Sequence, residues 1–250
     1  MKYIGIIPAR YASTRFEGKP LADLGGKPVI QHVYTRVKDA IGNAAVATDD
    51  KRIYDAVIGF GGVAVMTSDK HRSGTDRCLE AYDNLHCDAD VVINVQGDEP
   101  FVMTSQILKV AGCFDDQQTE IATLALPFPK DGKYDDLDNP NRPKVTIDNN
   151  GFAMLFSRSV IPYLRGIDRK EWPANYQYLT HIGMYAFRIE TLRKVTSLPQ
   201  SSLEKAESLE QLRWLQNGYK IKVALTDIQT IGIDTPEDLE KARKILEDIL

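Results

Sequence analysis

The sequence predicts an α/β fold, a mostly parallel but mixed sheet between two helical layers. Three observations carry that expectation. From Tyr3 to about residue 114, short apolar runs alternate with segments whose apolar residues recur every three or four positions. Val91–Val95 is apolar except for Asn94, and reads as a strand buried on both faces. The same alternation returns after residue 204.

Taken in order, Tyr3–Ile7 reads as the first strand and breaks at Pro8. Pro28 opens a helix whose Ile30, Val33, Val37 and Ile41 share one face. Ala44–Ala47 is a strand ending in Thr48-Asp49-Asp50. Ile53, Val57 and Phe60 mark a helix stopped by Gly61-Gly62. Val63–Met66 reads as strand, and 74–85 and 104–114 as helices. Between about 119 and 190 the pattern changes. Ala122–Phe128, Lys144–Ile147, Phe152–Phe156 and Ile182–Phe187 read as strands, most of them joined by segments too short for crossover helices. That predicts an antiparallel extension of the sheet or an inserted β-rich lobe, at about 129–190, within one domain spanning 1–250. Tyr134–Pro143 and Arg165–Tyr178 read as loops. A helix over 204–216, a strand over 220–225 and a helix from 236 follow. Thr235 caps that last helix, with Pro236 at its first position and Asp238 completing a capping box.

Composition excludes several classes. The chain has 250 residues and 43% apolar content, enough for a full core. A net charge of −4 offers no basic field for nucleic acid. Cys78, Cys87 and Cys113 form no Cys-x-x-Cys pair, which disfavours a disulfide framework or a zinc site and fits a reducing compartment. The apolar run after Lys2 is too short for a signal peptide, and no stretch approaches the roughly 18–20 apolar residues of a membrane helix. The expectation is a cytoplasmic protein with no membrane partner.

The chemistry begins after the first strand, where a loop carries Arg10, Arg15 and Lys19, with Gly18 before the lysine. Ligands bind at the carboxyl ends of strands in such sheets, and guanidinium and ammonium groups make charge-assisted bonds to phosphate. A nucleoside triphosphate is the natural candidate; a solvated surface loop would show the same spacing. Pro20 follows Lys19, so this is no Walker A loop, and no G-x-G-x-x-G is present. P-loop hydrolysis and hydride transfer lose support. Asn94-Val-Gln-Gly-Asp-Glu-Pro100 places Asp98 at a strand end, and Asp234 follows Ile231-Gly-Ile in the same way. Either carboxylate alone suits a turn or a cap. Together, beside a triphosphate, they suit Mg²⁺. In His71-Arg-Ser-Gly-Thr-Asp-Arg77, Ser73 or Thr75 caps the next helix or lends its hydroxyl to a ribose or base edge.

Several motifs together are specific. Pro8-Ala-Arg-Tyr-Ala-Ser-Thr-Arg15, Gly18-Lys-Pro-Leu21, Ser73-Gly-Thr-Asp-Arg77, Asn94-Val-Gln-Gly-Asp-Glu-Pro100, Phe156-Ser-Arg158, His181-Ile-Gly-Met-Tyr185, Leu209-Glu-Gln-Leu-Arg213 and Gly232-Ile-Asp-Thr-Pro-Glu-Asp-Leu239 resemble, collinearly over nearly the whole chain, the 3-deoxy-manno-octulosonate (Kdo) cytidylyltransferase family. The first loop alone would indicate only the wider sugar nucleotidyltransferase superfamily. The resemblance implies a Rossmann-like, nucleotide-diphospho-sugar transferase fold with a small inserted antiparallel lobe through which the family forms homodimers. It implies CMP transfer from CTP to the anomeric hydroxyl of Kdo, with Mg²⁺ as cofactor, to supply lipopolysaccharide assembly.

By the same resemblance, Arg10, Arg15 and Lys19 contact the triphosphate, with Arg15 also reaching the sugar. Ala9, Ser73, Thr75 and Arg77 hold cytidine, and Asp98 and Asp234 bind metal. Gln96, Arg158, His181, Tyr185, Glu210 and Gln211 line the sugar pocket. A carboxylate on Kdo gives Arg158 a physical reason. Leu209, Leu212 and Leu215 form the apolar face of the expected helix and leave Glu210 and Gln211 to point elsewhere. His181, in an apolar strand, equally suits a satisfied core position; Tyr185 shares its face in a regular strand. Met184 and Phe187 read as core. No dedicated protein base is evident, so Asp98 is expected to act through metal. Phe152, Phe156, Trp172, Tyr176 and Tyr178 suit either a dimer interface or core. Residues 129–142 match least, and Tyr163 after Ile161-Pro162 stands where many relatives carry Trp. Rival readings are a CMP-transferase for sialic acid or an 8-amino-Kdo type sugar, and a non-catalytic nucleotide-binding module. The latter would show a broken phosphate or metal motif, and none is lost.

Overall fold

A computed structural model of the protein describes residues 1–229 and 231–249. From the N-terminus run β1 (Tyr3–Ala9), the short ribbon β2 (Asp23–Leu24) and β3 (Lys27–Pro28), α1 (Val29–Ile41), β4 (Ala44–Thr48), α2 (Lys51–Gly59), β5 (Ala64–Met66), α3 (Gly74–Asn84), β6 (Val91–Asn94) and α4 (Thr104–Gly112). Then come β7 (Ile121–Pro127), α5 (Tyr134–Leu137), β8 (Lys144–Ile147), β9 (Ala153–Ser157), α6 (Trp172–Asn175) and β10 (Leu179–Arg188). Last are α7 (Ile189–Thr196), α8 (Ser202–Glu207), α9 (Gln211–Gln216), β11 (Ile221–Leu225) and α10 (Pro236–Ile249). The α/β alternation expected from the sequence is present. The chain divides into two compact units, one of Met1–Leu108, Ala186–Thr196 and 230–250, the other of Lys109–Tyr185 and Ser197–Gln229.

The first unit holds parallel strands in the order β6-β1-β4-β5. Every residue of β4 and β6 is buried, so both faces of these strands are covered. Val33 and Val37 of α1, Ile53 and Val57 of α2, and Cys78 and Ala81 of α3 are buried with them. Gly5 shows how closely α1 lies on β1, because a Cβ there would fall 2.1 Å from Val37 Cγ1. The strand order reverses between β1 and β6. This is the topological switch point, where the loops after two neighbouring strands part and leave a crevice. The helix α10 starts as expected: the Asp238 carboxylate accepts from Thr235 N at 3.2 Å, and Thr235 Oγ1 accepts from Asp238 N at 3.3 Å. Its Leu239 and Ala242 pack with Leu24, Val29 and Ile233.

In the second unit β11 pairs with β7 in parallel, Ile221 opposite Ile121, and β7 neighbours β10. The antiparallel character expected after residue 119 appears as β8 pairing with β10 and β9. Phe128, Leu137, Trp172 and Tyr178 form a separate apolar cluster. Trp172, Tyr178 and Phe156 are therefore core, whereas Tyr176 is 39% exposed. Three expectations need correction. The segments 134–143 and 165–178 are not plain loops; they hold α5 and α6, because Leu137 and Trp172 each turn inward to that cluster. The single helix over 204–216 is two, α8 and α9, parted where Ser208 adopts a left-handed φ of 51°. β10 begins at Leu179, ahead of the expected Ile182, since Thr180 pairs with Lys144 of β8.

Candidate active site

The crevice outside β1 and β6 is built by backbone constraints before any charge is considered. Gly97 allows the two strand ends to close, since a Cβ there would lie 2.9 Å from the Pro8 carbonyl oxygen. The Ile233 N–H donates to the Asp98 carbonyl at 2.8 Å, which brings Asp234 beside Asp98 although they are far apart in sequence. The loop after β1 returns at Gly18, whose φ of 70° suits glycine and whose N–H donates to Tyr11 O at 2.9 Å. Lys19 then starts a short 3₁₀ turn, Lys19–Leu21, with Pro20 in its first positions.

These constraints converge four charges. Lys19 Nζ lies 2.7 Å from Asp98 Oδ2 and 3.3 Å from Asp234 Oδ1, and Arg15 Nη1 lies 3.1 Å from Asp234 Oδ2. The Lys19 side chain is 12% exposed and that of Arg15 66%, so the lysine pair is the less screened of the two. Around them is a cleft of about 430 Å³, lined also by Ala9, Arg10, Ser73, Arg77 and Gln96. Thr75, expected here, is buried in the first turn of α3 and does not line the cleft.

Two of the expected cytidine residues have local structural duties. Ser73 caps α3, its hydroxyl accepting from Asp76 N at 3.1 Å. Arg77 is 1% exposed; Nη1 donates to Thr67 Oγ1 at 2.6 Å and Nη2 to Asp49 Oδ2 at 2.7 Å. Sequence reasoning missed Asp49 and the wall residues Ser13, Thr14, Gly74 and Gly97. Ser13-Thr14 directly before Arg15 was the available signal, since hydroxyls beside cations suit phosphate oxygens.

Asp98 and Asp234 hold one cation between them, the Lys19 ammonium, and that donor set fits a hard divalent ion taking its remaining ligands from phosphate and water. Among the described residues no cluster of three or more His, Cys, Asp and Glu could hold a metal on protein ligands alone.

The second unit gathers the other expected residues. Thr123 Oγ1 donates to the Met184 carbonyl at 2.7 Å and has His181 Nε2 at 3.0 Å. A hydroxyl has one proton, and the Ile182 carbonyl at 3.2 Å is a second acceptor for it; with that proton given to a carbonyl, the imidazole is the donor and carries its hydrogen on Nε2. Burial pushes the His181 pKa down to about 3, which keeps the ring neutral. The rings of His181 and Tyr185 lie 5.3 Å apart, and Tyr185 packs edge-on to Trp214 at 5.0 Å. Burial, then the nearby Glu210, pushes the Tyr185 hydroxyl well up. Glu210 accepts from Arg213 Nη2 at 2.6 Å. Gln211 is 4% exposed, and its Nε2 has no hydrogen-bond partner among the described residues. Arg158 donates to the carbonyls of Glu207 at 2.6 Å, Pro140 at 2.7 Å and Ser208 at 3.3 Å, leaving one N–H on each terminal nitrogen.

The cytidylyltransferase family model matches residues 4–221. A 3-deoxy-manno-octulosonate cytidylyltransferase of Parabacteroides distasonis is 60% identical, over 98% of both chains. One of Bacteroides thetaiotaomicron is 57% identical over 99% of both. A solved structure of a CMP:2-keto-3-deoxy-manno-octonic acid synthetase complexed with CTP superposes with a TM-score of 0.91 at 40% identity, covering 100% of both chains. The chain belongs to the cytidylyltransferase family, among the 3-deoxy-manno-octulosonate cytidylyltransferases.

Proposed function

We propose that the protein transfers CMP from CTP to the anomeric hydroxyl of Kdo and releases diphosphate. The observation that carries this reading is the convergence of Lys19, Asp98 and Asp234 at the strand switch point, in a chain 60% identical to a Kdo cytidylyltransferase. Within the cleft Lys19 and Arg15 balance Asp98 and Asp234, Arg77 is paired with Asp49, and Arg10 adds a further positive charge. An incoming triphosphate takes over the cations, with Arg10 at the rim. Asp98 and Asp234 are the residues that would hold Mg²⁺, which would supply Lewis acidity and charge neutralisation at the phosphates. Lys19 places its charge where negative charge builds on the departing diphosphate, so its contribution is electrostatic and positional. Ser73 and Arg77 shape the wall for the nucleoside, Ala9 completes it, Thr75 supports the same helix turn from within, and Gln96, which lines the same cleft, is assigned to the sugar.

Arg158, His181, Tyr185, Glu210 and Gln211 are assigned to the sugar. The buried Gln211 amide and the neutral His181 ring offer donors suited to hydroxyls, and the two remaining Arg158 N–H groups suit the carboxylate. The protein is assigned to the cytoplasm; no helix among the described residues is long and apolar enough to cross a membrane. A homodimer is part of this reading. Its support is the exposure of Met154 at 65% and Leu155 at 38% on β9, with Tyr163 at 68% nearby in sequence; light scattering on the purified protein reads the mass directly.

The deciding experiment measures diphosphate release with Mg²⁺ and each of CTP, UTP and ATP, crossed with Kdo and sialic acid. Activity confined to CTP with Kdo is expected. Activity only with UTP, or only with sialic acid, would overturn the reading.

A further inference from the structure

The cationic loop between β1 and Lys19 has few bonds of its own. Besides the Gly18 N–H to Tyr11 O bond at 2.9 Å, Phe16 N reaches Ser13 Oγ only at 3.5 Å. The loop carries Arg10 and Arg15 and ends at Lys19, with Glu17 as its one acidic residue, so it is net positive and its like charges work against a compact shape. Arg15 is held by Asp234 at 3.1 Å and Lys19 by Asp98 and Asp234, and a further hold lies near the start of the loop.

Tyr11 and Arg52 provide that hold. The tip of the Tyr11 ring lies over Gly18, where a Cβ would meet Tyr11 Cζ and Oη at 3.0 Å. The Arg52 guanidinium carbon lies 3.2 Å from the centroid of the same ring. Arg52 is anchored in turn by Asp50, Nε to Oδ1 at 3.0 Å and Nη2 to Oδ2 at 2.6 Å. Asp50 is the N-cap of α2, accepting from Arg52 N at 2.9 Å. A continuous path of contacts thus runs from α2 through Arg52 and Tyr11 to Gly18, the residue before Lys19. Because Asp50 neutralises Arg52, this grip adds little net charge beside a site that must collect phosphate.

We propose that the Tyr11–Arg52 stack is a latch that keeps the loop in its ligand-binding shape, making both side chains positioning residues for the nucleotide. The proposal rests on the reading of this cleft as a CTP site, and its test separates the two. Hydrogen exchange of residues 10–19 in the ligand-free protein reads the latch with no substrate present. Steady-state kinetics with CTP read its consequence.

Tyr11→Leu and Arg52→Met are each expected to speed that exchange about threefold to fivefold, the range of an exposed cation–π contact. Each is expected to raise KM for CTP by a similar factor, with kcat within about twofold of the parent. Tyr11→Phe keeps the ring and retains parental values. The double variant behaves like either single one, since both remove the same contact. Parental exchange in both single variants, or effects that multiply in the double variant, would overturn the latch. Failure of the parent protein to turn over CTP would overturn the functional reading instead, and the exchange data would still decide the latch.

Discussion

The Lys19 ammonium lies 2.7 Å from Asp98 Oδ2 and 3.3 Å from Asp234 Oδ1, so one side-chain cation bridges the two carboxylates that the proposed reading gives to a metal ion. On that reading, lysine and metal compete for the same carboxylates. Lys19→Met should therefore act in opposite directions on two measurements. Turnover with CTP should fall about 10²- to 10³-fold, the usual loss when one charge-stabilising donor is removed. Mg²⁺ affinity of the ligand-free protein, read by calorimetry, should rise, because the competitor is gone. Weaker Mg²⁺ binding in this variant would show that Lys19 supports the metal site instead of occupying it.

Asp98 carries the complementary prediction. On the proposed reading of Asp98 as a metal ligand, Asp98→Asn removes that ligand while keeping size and the main-chain bond to Ile233, so nucleotide binding should weaken only modestly and turnover should vanish. Raising Mg²⁺ should recover part of the rate. Recovery by raised pH without any response to Mg²⁺ would instead make Asp98 the proton acceptor.

How much of this was legible in the sequence depends on where the determining partner lies. Asp98 follows β6 as expected and Lys19 follows a glycine in the first loop, but Ile231-Gly-Ile before Asp234 reads as a strand and forms none; the Ile233 N–H to Asp98 carbonyl bond places Asp234 instead, so the local rule finds two of the three by the right route. The Asp49–Arg77 bond has no such rule. Its halves follow β4 and sit within α3, and only the packing of α3 against β4 brings them near. Arg77 was legible as part of a nucleotide motif, but its burial was not. Ser208 hid the break between α8 and α9, because a left-handed stop carries a clear signal when glycine holds it and almost none when serine does. The helices α5 and α6 span four residues each; Leu137 and Trp172, buried in a tertiary cluster, hold them, and local propensity does not show that.

The Asp49–Arg77 bond leads to a stability prediction. The guanidinium is 1% exposed and the Asp49 side chain 16%, so Asp49→Asn leaves a buried cation without its carboxylate. Loss of a buried partner costs about 3–5 kcal/mol, and the partial exposure of Asp49 places this case at the low end. Urea denaturation should show that loss in Asp49→Asn, and Asp49→Asn combined with Arg77→Met should be more stable than Asp49→Asn alone. If the double variant is the less stable, the bond is not what anchors Arg77.

The His181 ring gives a pH dependence with a definite sign. Its folded pKa of about 3 lies below the ordinary value of 6.5, so below pH 6.5 the unfolded chain binds a proton that the folded protein refuses. The stabilising contribution is complete above about pH 6.5 and falls by about 1.4 kcal/mol per unit as the pH drops towards 3. Between pH 7 and 5 the parent protein should lose about 2 kcal/mol from this residue. His181→Gln keeps a donor for Thr123 and cannot titrate, so its stability should change less over the same interval by that amount. The comparison isolates His181 because every other titrating group is common to both proteins. Equal pH slopes would mean that the imidazole is protonated in the fold, and the neutral Nε2–H donor assigned to it would fall with them.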